Sequence, residues 1–287
     1  MAVSQGAQTI KDAISKALVS DEGCLIGRNG QIELDLMMDP KDPTFSKLLT
    51  LEQNAGVFPS LQPYFFDKWK QATTKATIDA DVLVTGWYEP LRGAEQTFLN
   101  DLRVTKKQIP LRSLEPYYVE PEGQWTQLLE GQEVAVVTCF TRSARKQIEK
   151  GSQIWGSRGV LPSNTKWHWI QTGHPPSLAE GSNEWPPHVN NWLEAANYVV
   201  SEVVKSGARI AIIGCGGLGM PIAKMLKDRG IIAIVMGGAI QILFGIKGKR
   251  WENHQIISTF WNDEWIWPST SETPRGAKAI EGGCYWK

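Results

Sequence analysis

The chain has 287 residues, which is enough for one large domain with a substantial core. Its thirty basic and thirty acidic residues cancel, so it lacks the broad positive field of proteins whose main partner is nucleic acid. No basic-then-apolar signal peptide opens the chain, and the longest apolar run, 231–246, is interrupted by glycines and Gln241. We therefore expect a cytoplasmic protein without a membrane span.

The first part of the chain predicts one helix and two strands. Ile10, Ile14 and Leu18 recur at helical spacing, which indicates a helix with one apolar face. The run "CLIG" at 24–27 predicts a strand, and "DVLVTG" at 81–86 predicts a second strand that ends in glycine.

The second part alternates strands and helices more clearly. The predicted elements are strand 133–138, helix 142–150, strand 166–171, helix 190–206, strand 210–213 with the helix after it, and strand 231–238. Gly207 stands where the C-cap of a helix belongs. The alternation predicts a Rossmann-like α/β fold, in which a mostly parallel sheet carries helices on both faces and binds ligands at the carboxyl ends of its strands. We expect a single domain over 1–287, with 1–125 and 126–287 as its two lobes.

The stretch "IAIIGCGGLGMPIAKML" at 210–226 combines a strand, a glycine turn and a helix. A dinucleotide site needs an acidic residue at the end of the next strand, but that strand ends in "IVMGGAIQ". A methyl-donor site usually has an acidic residue where this chain has Ile212. Two further interpretations stay open: Gly214, Gly216 and Gly217 only allow close packing, or they present N–H groups to the phosphates of a nucleotide, which we favour.

A second turn, "TCFTRSARK", carries positive charge near a predicted helix start. Arg142 and Ser143, followed by Arg145 and Lys146, could donate to phosphate oxygens there. The alternative is that these basic side chains only decorate an exposed helix. A sugar nucleoside diphosphate is the ligand that both turns together predict.

The cysteines and tryptophans indicate which kinds of site the chain can form. The four cysteines have no C-x-x-C spacing, which predicts neither a disulfide framework nor a zinc site. Several of the thirteen tryptophans lie among polar residues and prolines, where an indole face could stack on a sugar or a nucleobase. We expect at least one of Trp251, Trp265 and Trp267 to line the ligand site.

Six segments carry a resemblance to known proteins: "GRNGQIE", "NAGVFP", "SLEPYY", "IGCGGLGMPIAKMLKDRG", "GGAIQILFGIKGKRW" and the terminal "EGGCYW". The six segments, in this order, resemble a group of bacterial and viral proteins. Two of them, the turn "GRNGQIE" and the later glycine-rich strand-to-helix turn, also resemble the GT-D-type glycosyltransferases. The resemblance implies a nucleotide-sugar donor, typically a UDP-sugar, and a divalent metal, Mn²⁺ or Mg²⁺, held by an Asp-x-Glu pair.

Carried onto this chain, the first motif consists of Arg28, Gly30, Gln31 and Glu33. Gln31 replaces the Asp of the family, which removes one metal-binding carboxylate, although its carbonyl oxygen could still coordinate. We therefore expect weak metal binding. Glu33 is the candidate catalytic base or metal ligand, and its alternative is a first-turn carboxylate that only stabilises a helix.

The later block "GGAIQILFGIKGKRW" is the other part of the implied donor site. Gly237 and Gly238 would let the backbone approach the ligand, and Gln241 would hydrogen-bond it. Three cations, Lys247, Lys249 and Arg250, are candidates to neutralise the leaving diphosphate, and Trp251 follows them directly.

The sequence and the resemblance together predict a glycosyltransferase. It would move a hexosyl or pentosyl group from a nucleoside-diphosphate sugar to a hydroxyl of a surface glycan or glycoprotein. A methyltransferase or oxidoreductase that uses "GCGGLG", and a carbohydrate-binding protein without activity, remain as alternatives. The sequence is also compatible with a homo-oligomer.

Overall fold

The computed structural model describes residues 1–39 and 42–287. Its strands form one seven-stranded sheet. The strands are β1 (Cys24–Arg28), β2 (Val82–Val84), β3 (Lys107–Ile109), β4 (Glu133–Thr138), β5 (Lys166–Gln171), β6 (Ile210–Gly214) and β7 (Ile232–Val235). Their order is β3-β2-β1-β7-β6-β4-β5, and all neighbours run parallel. The α/β prediction is confirmed, and the sheet is parallel throughout.

The central strands are buried on both faces of the sheet. Val134 and Val136 of β4 belong to the hydrophobic core on one face, and Ala135 and Val137 belong to the core on the other face. None of these four side chains is exposed to solvent. This double burial explains why the strand reads as a continuous apolar run, since successive side chains point to opposite faces.

Eleven α-helices lie in the described part of the chain. They are α1 (Val3–Ser20), α2 (Gln31–Met38), α3 (Phe45–Ala55), α4 (Pro63–Asp79), α5 (Arg92–Asp101), α6 (Leu111–Leu114), α7 (Thr141–Ile148), α8 (Pro176–Ala179), α9 (Trp192–Ser206), α10 (Gly219–Lys227) and α11 (Ala239–Leu243). Helices α1, α6, α7 and α11 contribute to the core on the Val136 face. Helices α3, α4, α9 and α10 contribute to the core on the Val137 face.

The predicted elements agree with the observed ones where the apolar pattern is strong. Ile10 and Ile14 are fully buried on α1, and Gly207 ends α9 in the left-handed conformation, with φ 74°. The sequence did not predict β3, a three-residue strand at the edge of the sheet, nor α3, α4 and α5. No described helix has both the length and the apolar character to cross a membrane.

The path of the chain opens a crevice at the carboxyl edge of the sheet. From β4 the chain continues to the edge strand β5, whereas from β6 it continues to β7 on the opposite side. The loops after β4 and β6 therefore diverge. Open parallel sheets bind ligands where two such loops separate.

Candidate functional site

A cavity of about 450 Å³ lies at this carboxyl edge. Its walls come from the loops after β1, β2, β4, β5, β6 and β7, from α2 and the end of α3, and from the C-terminal segment. The predicted site residues that line it are Arg28, Gly30, Gln31, Glu33, Gly214, Gly216, Gly237, Gly238 and Arg250. The remaining predicted residues lie outside the lining.

Arg28 ends β1 and is a half-buried cation in the cavity wall. Its guanidinium carbon lies 4.9 Å from the centre of the Trp87 ring, and its Nε donates to the carbonyl of Met236 over 3.4 Å. Within the described residues no carboxylate lies within ion-pair distance of Arg28, although its charge is felt by the buried carboxylates of Glu33 and Glu115. A guanidinium in a cavity wall that forms no direct ion pair is a ready partner for an anionic ligand.

Arg250 reaches the same cavity but already has partners. It forms an ion pair with Glu281 over 3.2 Å and donates to the Tyr285 hydroxyl over 2.9 Å. Its guanidinium also lies over the rings of Trp251 and Tyr285, at 5.3 Å and 5.1 Å from their centres. Arg250 is thus held in place by the C-terminal segment. The charge of Arg28 acts instead on the buried carboxylates of Glu33 and Glu115, whose pKa values it lowers against the effect of their burial.

Glu33 lies in the first turn of α2 and is 8% exposed. Its carboxylate accepts from its own backbone N–H and packs against Gly30, a site where any larger side chain would collide with it. Burial raises the pKa of Glu33, the nearby Arg28 partly opposes that shift, and the charge of Glu281 adds to it. Glu33 is therefore both a helix-start carboxylate and a cavity-lining group whose affinity for a proton is increased.

The glycine turn after β6 is covered by the end of α3. A methyl group on Gly216 would lie 2.5 Å from the Ala55 carbonyl oxygen, and Gly216 has φ 48°. A methyl group on Gly217 would lie 2.8 Å from Cγ2 of Val57, and the Gly217 carbonyl accepts from the Trp69 indole over 2.8 Å. Close packing alone explains Gly216 and Gly217, and Gly217 lies outside the cavity lining.

The glycine turn after β7 is open to the cavity instead. A methyl group on Gly237, which has φ 59°, would lie 2.5 Å from Nη2 of Arg28. A methyl group on Gly238 would lie 3.1 Å from Cε1 of Tyr285 and 3.5 Å from Nη1 of Arg250. These two glycines leave room for the side chains of both cavity arginines.

The turn after β4 does not offer the predicted phosphate site. The backbone N–H groups of Arg142 and Ser143 donate to Oε1 of Glu272, over 2.8 Å and 3.2 Å, and the Ser143 hydroxyl bonds its other oxygen. Glu272 is fully buried, so a carboxylate of the protein itself occupies the anion position at the start of α7. Arg142 is exposed and donates to Ser271. The donors predicted to bind phosphate at this turn are thus already bonded within the protein, and Arg142 and Ser143 do not line the cavity.

Three further predicted residues stabilise the C-terminal segment rather than line the cavity. The buried Gln241 amide donates to the carbonyls of Lys247 and Tyr285, both over 2.8 Å. The Lys247 ammonium lies 5.5 Å from the centre of the Trp261 ring. Trp251 is 8% exposed and lies under Arg250. Their effect on the cavity is indirect, through the placement of Tyr285 and Arg250.

None of the three tryptophans expected at the site, Trp251, Trp265 and Trp267, is among the residues that line the cavity. Trp265 is buried and donates to the carbonyl of Ile154 over 2.9 Å, and Trp267 packs against Trp261 at 5.9 Å. The cavity is lined instead by Trp87, Phe140, Tyr285 and Trp286. The signals were the turn "TGWYEP", at a strand end, and the terminal motif "EGGCYW".

The part of the cavity over β4, β5 and β6 carries no charge. Burial lowers the pKa of His174 to about 4, so its imidazole is neutral at pH 7, and its ring lies 5.8 Å from that of Trp286. Burial raises the pKa of the Cys215 thiol to about 12, so it stays protonated. Thr172 and Phe140 complete this uncharged end, while Arg28, Glu33, Arg250 and Glu281 form the charged end.

The carboxylates of the cavity do not fit a resident metal ion. Within the parts of the chain that the structure describes, no group of three His, Cys, Asp or Glu side chains could hold one. The Glu33 carboxylate is turned towards Gly30, and Gln31 is exposed. Mg²⁺ and similar ions need several well-placed oxygen ligands, which this arrangement does not provide for the metal that the resemblance implies.

Comparison with family models, with curated proteins and with solved structures finds no match to this chain.

Proposed function

We propose that the protein is a glycosyltransferase that moves a sugar from a nucleoside-diphosphate sugar, UDP-linked by its resemblance to the GT-D type, to an acceptor hydroxyl. The observation that carries this proposal is Arg28, a guanidinium in the cavity wall next to the open turn at Gly237 and Gly238, which forms no direct ion pair with any described carboxylate. A cationic group beside exposed backbone at the carboxyl ends of parallel strands is typical of a phosphate site.

The diphosphate of the donor would bind between the two arginines. A guanidinium donates two parallel N–H groups to phosphate oxygens, which gives both charge and direction. Arg250 sits beside Gly238, and Arg28 beside Gly237, so both can reach an anion at this turn. They would supply the positive charge that a metal supplies in related chemistry, and they would stabilise the diphosphate as it leaves.

The nucleoside would occupy the uncharged end of the cavity. A nucleobase is neutral and flat, and it stacks well on aromatic side chains. Trp286, His174 and Thr172 line this end, so a base bound there would contact two aromatic rings and a hydroxyl group. This orientation places the sugar towards α2 and Glu33.

The transfer step follows from these positions as a single displacement. The acceptor oxygen forms a bond to the anomeric carbon while the bond between that carbon and the diphosphate oxygen breaks. UDP leaves with the electron pair, and the proton of the acceptor hydroxyl moves to the Glu33 carboxylate. A buried carboxylate with a raised pKa suits this role, because it accepts a proton more readily near neutral pH.

Enzymes that use NAD or S-adenosylmethionine are less consistent with the turn after β6. The close contacts of Gly216 and Gly217 with Ala55 and Val57 account for both glycines without a ligand. β7 still ends without the carboxylate that would bind a ribose.

A thermal-shift screen with UDP, GDP, NAD and S-adenosylmethionine tests the proposal. A ligand at a hundred times its dissociation constant should raise the unfolding free energy by about 2.7 kcal/mol. We expect UDP to stabilise the parent protein and to stabilise Arg28→Gln much less. Stabilisation by NAD or S-adenosylmethionine, with none by either nucleoside diphosphate, would contradict the proposal.

A further inference from the structure

A second cavity, of about 350 Å³, adjoins the first. Both cavities are lined by Gln31, Ile32 and Thr50, which therefore form a shared wall. The other walls come from α2, from the start of α3 and from the loop after β2. On that loop Trp87 lines the first cavity, and Tyr88 lines the second.

The side chains of the second cavity suit an uncharged, polyhydroxylated ligand. Lys47 pairs with Asp35 over 3.0 Å and with Asp39 over 3.0 Å, so this lysine is already bound by carboxylates of the protein and does not favour an anionic ligand. Asp35, Ser46 and Gln31 retain oxygen atoms that can bond hydroxyl groups. The half-buried Tyr88 offers a ring on which the apolar face of a sugar can pack.

The shared wall also lies beside the proposed base. Gln31 and Ile32 are the two residues before Glu33 in the first turn of α2. A ligand in the second cavity that extends over this wall would bring a hydroxyl towards Glu33 and towards the sugar end of the donor. Such proximity is what a single displacement requires, since the acceptor oxygen must approach the anomeric carbon opposite the leaving group.

We propose that the second cavity, with Tyr88, Ser46 and Asp35 in its walls, is the acceptor site and that it takes an uncharged sugar ring. This inference rests on the proposed function, because an acceptor is needed only if the first cavity binds a sugar donor. It predicts that sugar binding in the second cavity and UDP binding in the first are separable.

Two variants and a matched control test this separation. Tyr88→Ala removes the stacking ring, and Ser46→Phe fills the cavity from an exposed position on α3. Tyr64→Ala is the control, because Tyr64 is 61% exposed and lines neither cavity. UDP affinity is measured by calorimetry. Binding of the methyl glycosides of glucose, galactose and N-acetylglucosamine is measured by saturation-transfer NMR with UDP present.

We expect all three variants to bind UDP like the parent. We expect the parent and Tyr64→Ala to give signals from at least one glycoside, and Tyr88→Ala and Ser46→Phe to lose at least about tenfold in glycoside affinity. Unchanged glycoside binding in both cavity variants, no glycoside binding to the parent, or competition between glycoside and UDP would overturn the acceptor site. If the parent does not bind UDP, the proposed function is contradicted instead. Calorimetry reports UDP binding separately from the NMR measurement of glycoside binding, so the two failures can be distinguished.

Discussion

The turns after β6 and β7 both follow a buried parallel strand with a cluster of glycines, yet they differ in what faces those glycines. Gly216 and Gly217 lie so close to Ala55 and Val57, at the end of α3, that a side chain at either position would collide with them. The absence of a side chain there allows close packing. Gly237 and Gly238 meet the guanidinium groups of the two cavity arginines and the ring of Tyr285. A glycine motif that matches a cofactor fingerprint can thus be structural, while a plainer glycine pair borders the candidate ligand site.

The strongest way to test this difference is Gly216→Ala. The new methyl group would collide with the Ala55 carbonyl, and the residue would keep a left-handed φ of 48°, so we expect a loss of about 3 kcal/mol of unfolding free energy. Gly131→Ala is the control, because Gly131 has φ 71° but no neighbour within 4 Å, and it should lose only about 1 kcal/mol. Equal losses in chemical denaturation would show that α3 does not constrain the turn.

Glu33→Gln tests the charged end of the cavity beside the open turn. It removes the carboxylate and keeps the size, and we expect transfer to fall at least about a hundredfold, or about 2.7 kcal/mol of barrier. The parent's activity should rise with pH through the raised pKa of Glu33, since only the ionised form accepts a proton. The raised pKa also means that folding disfavours the charge at neutral pH, so Glu33→Gln should not lower the melting temperature.

Glu95→Gln is the matched control for that variant. Glu95 is also buried with a raised pKa, but it binds the N–H of Gly86 and lies outside both cavities. We expect near-parental turnover from Glu95→Gln. If Glu33→Gln also turns over like the parent, Glu33 only stabilises the start of α2.

Gly238→Ala should have the smallest effect and should act on binding rather than on folding. Its methyl group would lie 3.1 Å from the Tyr285 ring, which requires a shift of a few tenths of an ångström. Because that shift disturbs Arg250 next to it, we expect UDP affinity to fall about fivefold, or about 1 kcal/mol, in calorimetry. A fall in melting temperature as large as that of Gly216→Ala, with UDP affinity unchanged, would mean that the two turns have the same role.

Much of the fold could be predicted from local patterns. The apolar runs of β4 and β6 identified buried strands. The rule that parallel sheets bind ligands at the carboxyl ends of their strands agrees with a cavity lined by Arg28, which ends β1, and by Glu33. The short edge strand β3 gave no such signal, because its residues, "KQI", have only one buried side chain.

The differences between the predicted and the observed turns arise from contacts with residues that are distant in sequence. The sequence near Arg142 resembles a phosphate-binding helix start, and nothing there reveals that Glu272 fills it from more than a hundred residues away. The contact between Gly216 and Ala55 is equally remote. Local spacing identifies backbone that can hold an anion, but only the packed structure determines whether the anion comes from the protein or from a ligand.

The central claim is that Arg28, beside the turn after β7, binds the diphosphate, and calorimetric titration of UDP tests it most directly. Arg28→Gln should bind at least about tenfold more weakly than the parent, because a charge-assisted hydrogen bond contributes about 1.5–3 kcal/mol. Arg142→Gln, at the turn whose anion position Glu272 occupies, should bind UDP like the parent. Unchanged binding by Arg28→Gln, or a comparable loss in Arg142→Gln, would contradict the account.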